Sequence, residues 1–271
     1  MANLNSHQAM YRYIAKLMEE HLETEDDQII HEALVHNDIR HACQAIRSAD
    51  SGEVEFQHLT LRFGGDGEQS VYQFDLSQKV KYCLDLFSLY LALRQTRFQM
   101  ETFHPDLISN VVVPIRMSAL LWEPGLEFLH QIFRHHQDAF AHVIPSLQMT
   151  PENFTQADST ELVEQIRTNA YALWFELCAP GEHFEPYADF KPDMIKLSFT
   201  LESKEDRSSF LPIIRFLRKH RLSWTAGRVA SQIELNQCKL LGASHYFGYF
   251  SDIPTSVSFR SFDEADNEEC R

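Results

Sequence analysis

The sequence predicts an α/β fold and, more narrowly, a single TIM-like (β/α)8 barrel. Short apolar runs alternate along the chain with longer amphipathic segments, a pattern typical of strands interleaved with helices. Eight candidate strands can be counted, which is the number that closes this kind of barrel. The chain has 271 residues, of which 44% are hydrophobic. One barrel of about 250 residues would use nearly all of it for one large core.

The predicted strands occupy residues 39–46, 54–63, 110–115, 141–147, 170–175, 194–197 and 223–229, and a short last strand lies near Tyr246. The clearest predicted helix spans residues 75–96. Its apolar face is formed at helical spacing by Leu76, Val80, Leu84, Phe87 and Leu91. Two further helices are predicted around residues 211–218 and 233–241.

Both ends of the chain differ from this repeating pattern. Residues 1–27 are predicted to form an extra N-terminal helical extension, which ends at the acidic run 23–27 and carries an apolar stripe of Tyr11, Ile14, Leu17, Met18 and Leu22. This helix either covers one end of the barrel or serves as a dimerisation or partner-docking helix, so a homodimer remains open. The barrel domain is assigned to residues 28–259. Residues 260–271 are acidic and poor in apolar side chains, and they are predicted to be a flexible tail.

Composition narrows the classes of function. A net charge of −15 argues against direct binding to nucleic acid or to an acidic membrane surface, because both reward a basic face. The early glutamates exclude a signal peptide, and no apolar run approaches the roughly 18 residues of a membrane span. The five cysteines lack the close pairs of a zinc or redox site. A cytoplasmic protein is expected.

A motif near the end of the chain is more specific. Residues 224–230 read Trp-Thr-Ala-Gly-Arg-Val-Ala, Gly242 follows twelve residues later, and residues 248–251 read Gly-Tyr-Phe-Ser. This string resembles the end of an EAL domain, the bacterial cyclic-di-GMP phosphodiesterase barrel, in which a Glu stands at the place of Ala230. The resemblance can be followed in register over about residues 30–257, where the family's Gln at Gln44, its Arg at Arg62 and its Lys at Lys196 are kept.

The resemblance also shows what has changed. Oxygen-bearing residues of the family are replaced at His58, Arg116, Gln148, Phe175, Ser198 and Ala230, and Glu176 is the one carboxylate expected to remain. EAL phosphodiesterases hold one or two Mg²⁺ or Mn²⁺ ions that activate a water, and such ions need several oxygen ligands. The resemblance therefore implies a degenerate site with no catalytic residue, no metal and no cofactor. Arg116 is expected to pair with Glu176, and Lys196 to be left without a partner.

The leading hypothesis is a non-catalytic regulatory protein that acts by protein–protein interaction. Stand-alone EAL-like proteins without metal ligands include an inhibitor of the flagellar master activator, which implies a transcription regulator of motility, biofilm or virulence as the partner. An alternative is a metal-independent cyclic-di-GMP receptor, with Gln44, Arg62, Arg116 and Lys196 as ligand contacts. Thr60 and Phe247, at places where the family has Leu and Gln, argue against it. An active phosphodiesterase is the least favoured alternative.

Overall fold

The computed structural model describes residues 4–64, 69–178, 184–198 and 204–257. Within these ranges the chain forms ten strands: β1 Ile39–Ser48, β2 Val54–Phe63, β3 Gln69–Ser70, β4 Val111–Arg116, β5 Val143–Gln148, β6 Trp174–Cys178, β7 Met194–Ser198, β8 Trp224–Gly227, β9 His245–Tyr246 and β10 Thr255–Val257. The predicted flexible tail, residues 260–271, lies outside the described residues. The predicted strand boundaries differ from the observed ones by one to four residues at several ends.

Eight of these strands close a barrel. The order β1-β9-β8-β7-β6-β5-β4-β2 returns to its start because β2 also pairs with β1. The strands from β2 through β4 to β9 are parallel to one another, whereas β1 is antiparallel to both of its barrel neighbours. The predicted barrel is thus confirmed. The antiparallel orientation of β1 follows from its short connection to β2, since a tight hairpin can join only antiparallel strands.

The helices are α1 His7–Glu19, α2 Glu25–Val35, α3 Gln78–Thr102, α4 Met117–Leu121, α5 Glu123–His135, α6 Gln137–Phe140, α7 Ala157–Asn169, α8 Lys204–His220 and α9 Gln232–Leu241. Helix α3 begins and ends later than predicted, and it is buried on more than one face. Every residue from 83 to 93 is buried, because the barrel covers one side of α3 and α1 covers another. The predicted apolar face is buried, and the rest of the helix surface at this point is buried as well. None of the described helices is long and apolar enough to cross a bilayer.

The N-terminal stripe is used inside the chain. Met10, Ile14 and Met18 are fully buried in the main core. The Tyr13 ring stacks on Phe128 of α5 with ring centroids 6.2 Å apart. The stripe therefore covers other helices of the same chain, and its buried part is not a free dimerisation surface. The acidic run reaches into the second helix, because Thr24 and Asp27 form the capping box that starts α2. Position 27 thus lies in the first turn of α2, and the division into domains at this point stays a prediction.

Strand alternation divides the strand side chains into two sets. Val111, Val113, Val143 and Ile195 face the helices and belong to the main core. The intervening positions face the barrel axis, where Ile46, Val112, Ile144, Trp174, Met194 and Phe247 form a separate apolar layer. Because side chains of one strand repeat on a face every second residue, the next inward positions along β4 to β7 are Pro114, Ser146, Glu176 and Lys196. On β5 to β7, polar side chains therefore follow directly above the apolar layer, which forms the floor of the barrel opening.

His41, on β1, gives the fold a defined response to acid. Its ring is buried against α3, where Nε2 lies 2.9 Å from Ser88 Oγ, and burial lowers its pKa to about 3. In the unfolded chain the His41 imidazole takes up a proton near the ordinary histidine pKa of about 6.5, whereas in the folded chain it stays neutral at that pH. The contribution of this group to stability is therefore complete above pH 6.5 and is lost as the pH falls below it, by about 2 kcal/mol at about pH 5.

We predict that a His41→Asn variant loses about 2 kcal/mol less stability than the parent between about pH 7.5 and pH 5. Urea unfolding at the two pH values measures this difference. The exposed His36 on the adjacent helix end provides the control, because a His36→Asn variant should keep the pH dependence of the parent. Equal pH dependence of the His41→Asn variant and the parent would contradict the assignment.

Candidate functional site

A cavity of about 460 Å³ opens at the carboxyl ends of the parallel strands. Its lining comes from strand ends and from the segments that follow them: Gln44, His58, Thr60, Arg62, Ser70, Tyr72, Asp85, Pro114, Arg116, Gln148, Glu176, Lys196, Ser198, Arg228, Phe247, Tyr249 and Pro254. This is the end at which barrels of this type carry their functional groups. Of the residues singled out from the sequence, Gln44, His58, Arg62, Arg116, Gln148, Glu176, Lys196 and Ser198 meet here.

Lys196 occupies the centre of one polar cluster. Its Nζ lies 2.9 Å from Glu176 Oε2 and 3.1 Å from His58 Nε2. Gln148 Nε2 donates to the same Glu176 oxygen at 3.0 Å. The sheet register explains the cluster, because Gln148, Glu176 and Lys196 are direct neighbours on β5, β6 and β7. The expectation that Lys196 has no partner was wrong.

His58 takes part in this cluster as a neutral base. Burial, followed by the nearby Lys196 charge, holds its pKa well below 6.5. Its Nε2 therefore accepts a hydrogen bond from the Lys196 ammonium, and its ring lies against Phe247 with centroids 4.5 Å apart. Carboxylate and imidazole acceptors thus surround a lysine that is 2% exposed.

Arg116 forms a second cluster with a residue that sequence reasoning missed. Its Nη1 donates to Asp85 Oδ1 at 2.7 Å, its backbone N–H donates to Asp85 Oδ2 at 3.0 Å, and the guanidinium lies over the Tyr72 ring at 5.7 Å. The predicted pair of Arg116 with Glu176 was therefore wrong, and Glu176 is not the one carboxylate of the site. Burial raises the pKa of Asp85 to about 6, although the Arg116 charge and hydrogen bonds act in the opposite direction.

Asp85 projects from α3 rather than from a strand. The helix is buried on all sides at this point. The sequence feature that could have identified Asp85 is its position as a single carboxylate within the apolar run Cys-Leu-Asp-Leu-Phe. An acidic side chain in such a run needs a partner, because an isolated charge is costly to bury. The sequence does not reveal that the partner is the strand-end residue Arg116.

Two further groups tie the loop after β9 to the barrel. Gln44 Nε2 donates to the Asp252 carbonyl at 2.7 Å. Arg47 forms two hydrogen bonds of 2.8 Å with the Asp252 carboxylate. Arg62 Nη2 lies 3.4 Å from the Tyr249 hydroxyl. The amide of Gln44 therefore serves an internal contact, while Arg62 borders the opening.

Two residues matched to family positions lie away from the cavity. Phe175 is fully buried on the helix side of β6, with its ring 5.5 Å from that of Tyr187 and 5.6 Å from that of Phe190. Ala230 is exposed in the turn after β8, where its N–H donates to Glu234 Oε2. Phe175 points away from the cavity because neighbouring residues of a strand face opposite sides, so Glu176 lines the cavity instead. Ala230 lies beyond the end of β8 at Gly227, and in this segment Arg228 lines the cavity.

The donors in this cavity can be compared with the needs of a Mg²⁺ or Mn²⁺ ion, which binds several oxygen ligands and favours carboxylates. The lining contains two carboxylates, and each already accepts from its own cation, Asp85 from Arg116 and Glu176 from Lys196. Among the described residues, no group of three or more His, Cys, Asp or Glu side chains is arranged to hold a metal. The described part of the cavity therefore does not fit a resident dication.

Comparison with known proteins places the fold. No family model and no curated protein matches the sequence. Among solved structures, the PaMucR phosphodiesterase in complex with c-di-GMP is similar with a TM-score of 0.69 and 16% identity, over 86% of this chain and 98% of the other. The Bacillus subtilis YkuI protein, with an EAL domain and in complex with substrate c-di-GMP and calcium, has a TM-score of 0.67 and 17% identity, over 92% and 64%.

The Vibrio cholerae LapD S helix-GGDEF-EAL structure bound to c-di-GMP is also similar, with a TM-score of 0.67 and 15% identity. The alignment covers 83% of this chain and 56% of that one, so this chain spans little more than half of that multidomain protein. At these identities the likeness concerns the architecture alone. The chain thus has the EAL barrel fold that the sequence motifs predicted.

We predict that an Arg116→Met variant is destabilised by about 3 kcal/mol, because it leaves the buried Asp85 carboxylate without its cation. The double variant Asp85→Asn, Arg116→Met should be more stable than the single one, since Asn removes the charge and retains an oxygen for the backbone N–H at position 116. Urea unfolding measures both differences.

The matched control is Lys16→Met, which breaks the exposed pair of Lys16 and Glu20 on α1. Exposed pairs of this kind contribute less than about 0.5 kcal/mol. An Arg116→Met variant no less stable than the Lys16→Met variant would contradict a structural role for the buried pair.

Proposed function

We propose that this chain is a non-catalytic EAL-like regulatory protein of the bacterial cytoplasm that acts by binding another protein. The expected partner is a transcription regulator of motility, biofilm or virulence. The observation that carries the non-catalytic half of the proposal is the pairing of both cavity carboxylates with cations inside the cavity. The partner class rests on the resemblance to stand-alone EAL-like regulators.

The step from ion pairs to inactivity is electrostatic. A dication lowers the pKa of a bound water and so supplies a nucleophile at neutral pH, but it must first be retained by anionic oxygens. Here the Lys196 ammonium already lies against Glu176, and Arg116 against Asp85. A further divalent charge would stand next to two fixed positive charges in a site of low dielectric. Its binding would be opposed, and no water would be activated.

The hydrogen bonds of the Lys196 cluster also leave His58 and Glu176 poorly placed to act as a general base. His58 is neutral, but its Nε2 accepts from Lys196 and is not open to a water. The Glu176 oxygen that faces the cluster accepts from both Lys196 and Gln148. An effective base must lie within hydrogen-bond reach of the proton that it removes, and these lone pairs are already used.

A metal-independent cyclic-di-GMP receptor is the second candidate. The cavity volume lies in the ordinary range for small-molecule sites, and Arg62 and Arg228 line it in addition to the paired cations. All four residues expected to contact the ligand have partners within the chain: Gln44 bonds to Asp252, Arg116 to Asp85, Lys196 to Glu176 and, at 3.4 Å, Arg62 to the Tyr249 hydroxyl. A ligand would have to compete for them, which makes the receptor the less favoured candidate.

We predict that the purified chain releases no linear pGpG from cyclic di-GMP in the presence of Mg²⁺ or Mn²⁺. Chromatography of the nucleotide products measures this, and the PaMucR phosphodiesterase in the same buffer serves as the positive control. Metal-dependent release that disappears in a Glu176→Gln variant would overturn the proposal, because it would mean that Glu176 retains an ion despite Lys196.

Calorimetry without metal separates the two binding functions. The proposal predicts that the addition of cyclic di-GMP releases no heat of binding. It also predicts that a specific protein partner crosslinks to the chain in cells and is recovered with it. A receptor predicts a binding isotherm that an Arg62→Ala variant weakens about tenfold and that the distant Lys16→Ala control leaves unchanged. Binding of this kind without any recovered partner would replace the first proposal with the second.

A further inference from the structure

The rim of the cavity carries large apolar side chains that are open to solvent. Tyr249 is 64% exposed, Ile253 is 77% exposed and Tyr72 is 42% exposed. Tyr249 and Tyr72 line the cavity opening, and Ile253 directly precedes Pro254, which also lines it. Single exposed apolar residues are ordinary, but several of them beside one cavity are typical of a binding surface.

The cations of the cavity fall into two classes. Arg116 and Lys196 lie deep and are paired with Asp85 and Glu176. Arg62 and Arg228 also line the cavity, yet neither has a carboxylate partner within salt-bridge distance in the described part of the chain. The described lining therefore carries two positive charges beyond its two carboxylates, in a chain whose net charge is −15. This local excess would attract an anionic group.

Arg228 is presented by a rigid turn rather than by a loose loop. Its backbone adopts a positive φ of 61°, which costs roughly 1 kcal/mol or more for a residue with a side chain. The next residue, Val229, is hydrogen-bonded on both sides, from its N–H to Phe247 and from Phe250 to its carbonyl. A Cβ added to Gly248 would lie 2.2 Å from the Val229 carbonyl oxygen, so the two segments are in close contact.

The occupant that fits these features is a protein segment. We propose that the partner of this chain docks at the cavity mouth with an acidic side chain, flanked by apolar residues, that pairs with Arg62 and Arg228. The inference rests on the proposed function and specifies its surface and the chemistry of the partner. A carboxylate offers guanidinium groups strong charge-assisted hydrogen bonds. Tyr72, Tyr249 and Ile253 would pack against the apolar neighbours of that carboxylate.

The test uses a defined probe, a phage-displayed library of random peptides of roughly ten residues, selected against the immobilised full-length chain. The expected result is enrichment of peptides in which Asp or Glu adjoins Leu, Ile or an aromatic residue. Affinities of the best peptide are then measured by fluorescence anisotropy. Arg228→Glu and Arg62→Glu should each weaken binding about tenfold or more, while Lys16→Glu on α1, an equal change in net charge, should change it less than about twofold.

Replacement of the peptide's acidic residue by its amide should cause a similar loss of binding. The inference is overturned if no acidic peptide is enriched, or if the Arg228→Glu and Arg62→Glu variants bind the selected peptides as the parent does. It is also overturned if cyclic di-GMP binds in a way that both Arg62→Glu and Arg228→Glu abolish, because the mouth would then recognise a nucleotide.

Failure of this inference about the cavity mouth can be distinguished from failure of the proposed function. The same charge reversals are introduced into the chain in cells, and the crosslinked partner is recovered again. A partner recovered equally well with Arg228→Glu, Arg62→Glu and Lys16→Glu would leave the proposed function standing and place the contact elsewhere. A partner lost only with the two cavity variants would support the mouth as the docking surface.

Discussion

Two buried ion pairs set the chemistry of the barrel mouth, namely Lys196 with Glu176 and Arg116 with Asp85. A charge taken out of water needs a close opposite charge or several hydrogen bonds, or its burial is strongly unfavourable. Each cation here has one carboxylate, and each carboxylate has further donors beside it, Gln148 for Glu176 and the Arg116 backbone for Asp85. The side chains are therefore fixed in place, and few oxygen lone pairs remain for any other charged species.

These pairs depend on the barrel for their geometry. The parallel register puts Glu176 beside Lys196 and Gln148 beside Glu176 without any contribution from loops. Antiparallel β1 brings Gln44 to the same mouth, where it holds the carbonyl of Asp252 while Arg47 holds the carboxylate. The loop that carries Tyr249 and Ile253 is thereby fastened to a strand. The ion pairs themselves contribute little net stability compared with apolar packing, but they specify one arrangement of the mouth.

The sequence was sufficient for those parts of the site that depend on strand periodicity. The motifs predicted the barrel, and they predicted that Gln44, Arg62, Arg116, Glu176 and Lys196 share its open end. Asp85 escaped prediction because it lies 31 residues before Arg116 on a helix, and a contact between a helix and a strand end leaves no trace in local spacing. Phe175 lies outside the cavity because a motif aligned by residue type does not by itself say which face of the strand each residue occupies, and Ala230 lies outside it because β8 ends at Gly227.

The deep and the rim cations of the cavity differ in a way that supports the proposed binding without catalysis. Deep in the cavity, each positive charge is balanced within a few ångströms, so the field of the pair falls off steeply and a ligand gains little from approaching it. At the rim, Arg228 is exposed and Arg62 is half-buried beside the Tyr249 hydroxyl, and neither has a carboxylate partner among the described residues. An anionic group therefore gains most by stopping at the rim, beside Tyr249 and Ile253, and does not need to displace Lys196 from Glu176. The proposed function therefore calls for a surface contact rather than a deeply bound substrate, because recognition at the rim would use Arg62 and Arg228, which have no carboxylate partner among the described residues.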